Sequence, residues 1–301
     1  MGSTLTDVGL PVALGIIMLG LGLSLTPGDF ARVAKHPKAV FLALLCQLVL
    51  LPAVCLGLVA LFSLPPVLAV GMMLLAASPG GSTANLYSHL FRGDVALNIS
   101  LTAINSVIAV FTLPLITNFA IALYLPGDDQ LGLQFSKVME IFVIVLGPVL
   151  IGMAIRWWKP RFAAAMDKPV RIASIIILAV VIGGAVASNW TLLMANVGQL
   201  ALITVLFCLL SLTIGFFVPR LFRVGPRQAV ASSFEIGIHN ATLAIVIART
   251  VLGNEELSLP AAVYGVLMFF VALGFGFLIR SRVPEEASDD AGVADPKGAV
   301  Q

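Results

Sequence analysis

Two ionisable side chains stand inside an apolar segment near the C-terminal end of the sequence. Residues 232–244 read SSFEIGIHNATLA, and Glu235 and His239 are exceptions to the apolar character of residues 228–252. That stretch is long enough to cross a bilayer. A carboxylate at the centre of a membrane helix costs about 2.5 to 3.5 kcal/mol on insertion scales, so it is retained where it has a partner and a task. Glu235 is therefore the first candidate for a functional residue.

The composition places the chain in a lipid bilayer. Of its 301 residues, 59% are hydrophobic and 11% are charged, whereas soluble domains carry about 25% charged residues. The net charge of +2 gives no indication of a nucleic-acid partner. Cys46, Cys55 and Cys208 fall within apolar runs and lack the spacing of metal ligands. The sequence thus predicts an all-α polytopic membrane protein without a cofactor.

Nine apolar segments are long enough to cross a bilayer. They cover approximately residues 8–25, 39–62, 66–91, 95–125, 136–156, 170–187, 198–219, 227–252 and 260–280. We therefore expect one transmembrane domain over residues 1–282, with halves at about 8–125 and 136–280. Residues 283–301 are small, acidic and polar, which predicts a disordered cytoplasmic tail.

Lysine and arginine collect in alternate loops between these segments, as they do in the cytoplasmic loops of membrane proteins. The basic residues of these loops and of the segment after the last span are Arg32, Lys35, Lys38, Arg92, Arg156, Lys159, Arg161, Lys168, Arg171, Arg220, Arg223, Arg227, Arg280 and Arg282. The other loops are mainly acidic, with Lys137 and Arg249 as exceptions. This alternation predicts a cell-membrane protein with its N-terminus outside and its C-terminus in the cytoplasm.

Two segments carry interruptions at corresponding positions of the two halves. The third contains the sequence PGG at residues 79–81, and the eighth contains Gly237 beside the polar residues described above. Proline removes a helical hydrogen bond and clashes with the preceding turn. Gly237 alone costs a helix only about 1 kcal/mol, so a continuous eighth helix stays an alternative. The loop charges make the two segments run in opposite directions, which predicts an inverted-repeat transporter.

Two broken helices offer sites for ions of both signs. The N-termini of the second half-helices direct free N–H groups at an anion, so we expect Ser82, Thr83 and Asn240 to bind substrate. The carbonyl groups that end the first half-helices, together with Glu235, suit a small hard cation such as Na+. In a continuous helix, Glu235 and His239 are i and i+4 neighbours and pair with each other instead.

Four stretches resemble the bile acid:sodium symporter family. They are SPGGSTANLYSHLFRGDVALNISLT at residues 78–102, FEIGIHNATLA at 234–244, LGLGLSLTPGDF at 19–30 and CQLVLLP at 46–52. The resemblance covers nearly the whole chain and implies a bacterial-type member with nine spans. It also implies a core domain, in which the two broken helices cross, and a panel domain. The implied function is sodium-coupled symport of an organic anion, bile-acid-like or a small keto or hydroxy acid, by alternating access.

The resemblance implies a first sodium-binding site. Asn85, Thr102 and Glu235 match the family pattern at this site. Ala84 and Asn98 stand where hydroxyl groups are usual, and of these two only Asn98 supplies an oxygen.

A second sodium-binding site is implied around the same carboxylate. Gln47 and Glu235 match the family pattern, as do the positions of Ile236 and Ile238, which contribute backbone oxygens. His239 replaces the usual glutamine, and imidazole is a poor ligand for sodium. One sodium ion, or a proton carried by His239, then becomes an alternative to two sodium ions. The polar side chains Gln47, Asn85, Asn98, Thr102 and Asn105 also have a structural alternative, as hydrogen bonds between helices.

Three classes of function follow from these residues. The first is sodium-coupled symport of an organic anion. The second is a proton-coupled or facilitative carrier of an organic anion or a metalloid oxyanion, as in arsenite permeases of similar fold, which are expected to use a cysteine in the first broken region. The third, an intramembrane enzyme, needs a nucleophile–base pair, and serines beside His239 are too loose a constellation, so we expect no enzyme. Substrate identity and oligomeric state stay open.

Overall fold

A computed structural model describes residues 2–81, 83–127 and 135–283. Within these residues the chain is helical, apart from short connections and one isolated β-bridge. The α-helices are α1 (Gly2–Ser24), α2 (Pro27–Arg32), α3 (Pro37–Leu45), α4 (Leu51–Phe62), α5 (Pro66–Ala77), α6 (Thr83–Leu90), α7 (Val95–Tyr124), α8 (Phe135–Trp158), α9 (Pro160–Ser188), α10 (Trp190–Leu221), α11 (Pro226–Gly237), α12 (Ala241–Val246) and α13 (Leu259–Arg280). Two π-helical turns, Cys46–Leu50 and Ile247–Val251, continue α3 into α4 and extend α12.

Six helical elements among the described residues are long and apolar enough to cross a bilayer. They are Pro37–Phe62, Val95–Tyr124, Met139–Trp158, Pro160–Ser188, Trp190–Leu221 and Glu256–Arg280. A seventh is obtained when α1 and the following short helices, which are bent by 68°, are taken as one span. The prediction of an all-α polytopic membrane protein is confirmed. The predicted total of nine spans is reached when the two interrupted segments, α5 with α6 and α11 with α12, are each counted as one more span, so it stays a prediction.

The third predicted segment consists of two helices, α5 and α6, that do not join. α5 ends at Ala77, and Ser78 has extended backbone angles, φ −70° and ψ 142°. A residue that precedes proline is driven out of the helical region by the proline ring. Pro79 therefore excludes Ser78 from the helix, and α5 ends at Ala77.

The eighth predicted segment is interrupted as well, so the alternative of a continuous helix is wrong. α11 ends at Gly237 and α12 begins at Ala241. The side chain of Asn240 accepts a 3.0 Å hydrogen bond from the N–H of Leu243 and so caps the new N-terminus. The helix is therefore interrupted over residues 238–240 and not at Gly237 alone.

The two breaks are hydrogen-bonded to each other. Gly80 and His239 form an isolated antiparallel β-bridge. Buried N–H and C=O groups need partners, and in this pairing each break supplies those that the other has lost. The flanking bonds run from the Gly81 N–H to the Ile238 carbonyl and from the Asn240 N–H to the Pro79 carbonyl, both over 2.8 Å.

The helices pack in two groups around this crossing. α1, α8 and α9 contact one another extensively, while α10 packs against α11 and α13, and α7 packs against α5, α6 and α11. α12 contacts α13 on one side and α1 and α9 on the other. The second broken helix therefore lies where the two groups meet.

The connection between the fifth and sixth spans differs from the sequence-based expectation. α8 ends at Trp158 and α9 begins at Pro160, so Arg161 and Lys168 lie within a helix and not in a loop. Proline is favoured at the first helical position, and three alanines follow at residues 163–165. α9 has 29 residues, about 44 Å of helix, whereas an apolar core is about 30 Å thick. The hydropathy of the sequence identifies only the apolar part of this helix, so the predicted segment at residues 170–187 is shorter than α9.

Three predictions lie partly or wholly outside the described residues. They concern Ser82 as a substrate ligand, the acidic outer loop at residues 128–130, and the tail at residues 283–301, of which residues 284–301 are not described. These predictions stand as made from the sequence.

Candidate ion and substrate sites

Glu235 lies in the last turn of α11 and is fully buried, with 1% of its surface exposed. Its Oε2 accepts a 2.5 Å hydrogen bond from the hydroxyl group of Thr102 in α7. Its Oε1 makes no hydrogen bond of its own, although Asn105 and the backbone N–H of Gly80 lie near the carboxylate. The crossing thus holds a buried acid with one oxygen left for another ligand.

One face of α7 presents polar side chains to this carboxylate. Asn98, Thr102 and Asn105 follow each other at i, i+4 and i+7, which is the spacing of a single helix face. The amide nitrogen of Asn98 donates to the Ser88 hydroxyl and to the Ala231 carbonyl, both over 2.8 Å. The bonds of Asn98 join α7 to α6 and α11, and its oxygen is left without a partner.

Several buried side-chain oxygens around the crossing have no hydrogen-bond partner in the part of the chain that the structure describes. A buried oxygen without a partner costs about 1 to 3 kcal/mol. Oxygen atoms are the ligands of hard cations, so a bound cation offsets this cost. The atoms on α6, on α11 and on residues 98–105 of α7 are Asn85 Oδ1, Asn98 Oδ1, Asn105 Oδ1, Ser232 Oγ and Glu235 Oε1.

Asn105 and Ser232 were not among the residues predicted to bind sodium. The signal for Asn105 is its spacing of three and seven residues from Thr102 and Asn98 on one helix face. Ser232 stands three residues before Glu235 on α11 and carries the same signal. Both were open to a purely structural interpretation from the sequence.

Gln47 lies in the π-helical turn at Cys46–Leu50. Its amide nitrogen donates to the carbonyls of Ser78, over 3.0 Å, and of Ala76, over 3.3 Å, and its oxygen has no partner. π-helical turns occur frequently at functional sites because the extra residue redirects a side chain. The turn at Cys46–Leu50 places Gln47 against the end of α5, next to the first break.

His239 is bonded to the first broken helix and not to Glu235, so the predicted alternative of a Glu–His pair is wrong. Its Nδ1 lies 3.0 Å from the Ser78 carbonyl oxygen. A carbonyl oxygen only accepts, so Nδ1 carries the hydrogen in this contact. The ring stacks on Phe207 and meets Tyr264 edge-on, both at 5.5 Å between centroids. Its Nε2 is buried without a partner.

The carbonyl groups at the second break are also bonded. The Gly237 carbonyl accepts from the Tyr264 hydroxyl over 2.8 Å and from the Cys208 thiol over 3.5 Å. The Ile238 carbonyl accepts from Gly81, whereas Ile236 packs its side chain against Gly215. The backbone of Ile238 thus lies at the crossing, with one lone pair of its carbonyl oxygen already used.

A cavity of about 50 Å3 lies beside the crossing. The predicted substrate residues Thr83 and Asn240 line it, and Ser82 lies outside the described residues. No lysine, arginine, aspartate or glutamate is present among the described residues of its wall. These are Ile17, Gly81, Thr83, Ser174, Ile175, Leu178, His239, Asn240, Ala241, Thr242 and Met268.

Comparison with known proteins points to one family. Residues 11–196 match the model of the sodium bile acid symporter family. The chain is 29% identical over 281 residues to a probable chloroplastic sodium/metabolite cotransporter, BASS1, of Arabidopsis thaliana, covering 92% of the chain and 68% of that protein. It is 26% identical over 255 residues to the uncharacterized sodium-dependent transporter YocS of Bacillus subtilis, covering 85% of the chain and 78% of that protein.

A mammalian relative is more distant in sequence but equally extensive in coverage. The chain is 23% identical over 287 residues to the ileal sodium/bile acid cotransporter of Oryctolagus cuniculus, covering 93% of the chain and 81% of that protein. The family model covers more than half of the chain, and its apolar helices make it a multi-pass membrane protein. The protein belongs to the sodium bile acid symporter family, whose members are transporters and not enzymes.

Proposed function

We propose that this protein is a symporter that couples the entry of a small organic anion to sodium, with the ion held at Glu235. The observation that carries the proposal is the unpaired Oε1 of Glu235, together with further unpaired buried oxygens on α6, α7 and α11, the helices that meet at the carboxylate and its neighbours. A buried carboxylate is costly without a counter-charge. A sodium ion supplies both the charge and the missing contacts.

The proposed sodium site has ligands from three elements. Glu235 contributes from α11, Asn98, Thr102 and Asn105 from α7, and Asn85 from α6. Ala84 cannot contribute a side-chain oxygen, and Asn105 compensates for it. Because α6 and α11 belong to different broken helices, the ion favours the arrangement in which both breaks stay together.

We propose that the second predicted site, at Gln47, Ile236, Ile238 and His239, does not hold a sodium ion of its own. The Ser78 carbonyl already accepts from Gln47 Nε2 and lies within hydrogen-bond distance of His239 Nδ1. A cation in this place would have to displace one of these donors. Coupling by one sodium ion follows. The alternative is a carrier of an organic anion or a metalloid oxyanion that is facilitative or is proton-coupled through His239. The one observation in its favour is the unpaired Nε2 of His239.

The anion is proposed to bind in the cavity beside the crossing. The wall contains the N-terminal residues of α6 and α12, and the positive dipole ends of these two helices favour a negative charge. α12 continues without a break to Val251, so its dipole is that of an eleven-residue helix. With no basic side chain among the described wall residues, the carboxylate is held by the two dipole ends and by Thr83 and Asn240.

Alternating access is proposed to move α1, α8 and α9 against the other helices. The cavity draws residues from α1 and α9 on one side and from the two breaks on the other. Sliding of these groups therefore opens or closes it. In these terms α1, α8 and α9 form the panel domain and the broken helices belong to the core domain.

The orientation with the C-terminus in the cytoplasm of a cell remains our proposal. Basic side chains lie at the C-terminal ends of two helices that the loop charges orient towards the cytoplasm: Arg156 of α8 donates to the Leu23 carbonyl over 3.4 Å, and Arg282, after α13, lies 5.3 Å from the ring of Phe217. Cytoplasmic ends carry such an excess of Lys and Arg.

Uptake into proteoliposomes tests the function directly. A panel of radiolabelled small carboxylates is offered with an inward sodium gradient, an inward proton gradient, or neither, each clamped separately. Accumulation that needs the sodium gradient supports the proposal. Accumulation driven by protons alone supports the alternative, and equilibration without either gradient indicates a facilitative carrier.

A further inference from the structure

Hydroxyl groups on the long helices mostly bond to the carbonyl of the preceding turn. The serine and threonine side chains that do so include Ser100, Ser106, Thr112, Thr204, Ser211 and Thr250, over 2.6 to 3.3 Å. This bond satisfies a hydroxyl in a bilayer without any partner from another helix. A helical hydroxyl that does not make it is left for another ligand.

Ser174 departs from this pattern. It lies in the middle of α9, is partly exposed, and makes no hydrogen bond to any described residue. Ser174 lines the cavity beside the crossing, where its neighbours in the wall on α9 are Ile175 and Leu178. On the side of the cavity formed by α1 and α9, which is otherwise apolar, Ser174 is the polar group.

The other side of the cavity carries the groups that suit a carboxylate. Thr83, Asn240 and Thr242 stand there, at the N-terminal ends of the two half-helices. A ligand that spans the cavity therefore meets the dipole ends of α6 and α12 with these polar side chains at one end, and a single hydroxyl at the other. The volume of about 50 Å3 corresponds to room for roughly three to five water molecules, which fits an anion of a few heavy atoms.

We propose that Ser174 determines substrate specificity by hydrogen bonding to a second polar group of the anion. The transported anion then carries a hydroxyl or carbonyl oxygen in addition to its carboxylate, as a small hydroxy or keto acid does. The inference rests on the proposed function, since it assigns the ligand of the same cavity. A hydroxyl both donates and accepts, so Ser174 serves either kind of oxygen.

Binding measurements with matched acids test this assignment. Lactate and propionate differ by one hydroxyl, as do 2-hydroxyisovalerate and isovalerate, and each is titrated against the purified protein in sodium by calorimetry. One neutral hydrogen bond is worth about 1 kcal/mol, or roughly fivefold in affinity. We expect the wild type to prefer the hydroxy acid of each pair by about this factor.

Three variants separate specificity from packing. Ser174→Ala is expected to weaken binding of the hydroxy acids by about fivefold and to leave the unsubstituted acids unchanged. Ser174→Thr keeps the hydroxyl and the preference. Ser211→Ala is the matched control, because the Ser211 hydroxyl donates to the Phe207 carbonyl over 2.7 Å within α10. We expect this variant to bind both members of each pair as the wild type does.

The possible failures are distinct. Equal binding of both members of each pair by the wild type, or equal weakening of both by Ser174→Ala, overturns the role of Ser174 and leaves the anion site intact. Binding of none of these acids, or of pyruvate, in sodium overturns the proposed site itself and the inference with it.

Discussion

Thr102 and Glu235, which are 133 residues apart in the sequence, are joined by a 2.5 Å hydrogen bond between α7 and α11. Thr102 Oγ1 also lies 3.1 Å from the Asn98 carbonyl of the preceding turn. The hydroxyl is thus in contact both with its own helix and with the carboxylate, and the carboxylate keeps Oε1 unpaired. This contact connects the second broken helix to the polar face of α7.

Glu235→Gln should abolish sodium-dependent uptake while the protein still inserts and folds. The amide keeps the size and a hydrogen bond to Thr102 but removes the charge that offsets the ion. The measurement is thermal unfolding with and without sodium, together with uptake. Glu255→Gln is the control, since Glu255 is exposed and pairs with Arg249 over 2.8 Å. Sodium-dependent stabilisation that persists in Glu235→Gln would contradict the site.

Thr102→Val should raise the sodium concentration needed for half-maximal stabilisation by roughly tenfold or more. A hydrogen bond to a charged group contributes about 1.5 to 3 kcal/mol, and a sodium ligand is removed at the same time. Thr204→Val, also buried and bonded to the Leu200 carbonyl over 2.6 Å, should leave this concentration unchanged. The same shift in both variants would show a general effect of losing a buried hydroxyl.

Gly80→Ala should disrupt the crossing. A Cβ atom at this position would lie 2.5 Å from the Glu235 backbone oxygen and would also overlap its carboxylate. Overpacking of this kind costs typically 1 to 3 kcal/mol, so we expect a lower unfolding temperature and weakened sodium dependence. Gly198→Ala is the control, because its Cβ meets no atom within 4 Å. A Gly80→Ala variant that keeps wild-type sodium dependence would contradict the close approach.

His239→Gln tests the number of coupling ions. With one sodium ion at Glu235, the Hill coefficient of wild-type uptake for sodium is near one, and uptake follows the sodium gradient. Glutamine supplies a carbonyl oxygen where imidazole donates to Ser78, so we expect the coefficient to rise. A proton-driven wild type whose dependence shifts towards sodium in His239→Gln would instead support the proton-coupled alternative.

Orientation can be tested with single introduced cysteines, since Cys46, Cys55 and Cys208 are all buried. Glu256→Cys lies in an exposed turn before α13, and Ala164→Cys lies on an exposed face near the start of α9. A membrane-impermeant maleimide added to intact cells should label residue 256 and not residue 164. The reverse pattern would invert the topology.

The sequence was sufficient where the cause of a structure is local. Pro79 ends α5 by its own ring, and the apolar lengths identify the helices that span the bilayer. The second break was only partly predictable, because Gly237 is a weak signal. The reason for the break is the pairing of His239 with Gly80, which lies 159 positions away in the chain. Local propensity does not contain such a partner.

The site shows the same division between local and non-local information. Glu235 stands out by its cost in a bilayer, and Asn98, Thr102 and Asn105 by their spacing. The direction of His239 towards Ser78 could not be predicted, since its ring is held by Phe207 and Tyr264 from two other helices. Nor does the sequence reveal the π-helical turn at Gln47.

The bridge between Gly80 and His239 also has a mechanical consequence. Because each break is hydrogen-bonded to the other, the crossing is expected to travel as one rigid body while the carrier changes shape. The proposed sodium ligands lie on α6 and α11 of this body and on α7, which packs against both, so we expect the ion to be carried along, whereas the cavity is shared with α1 and α9 and is deformed. We therefore expect sodium binding to affect substrate binding through the residues of the two breaks that line the cavity.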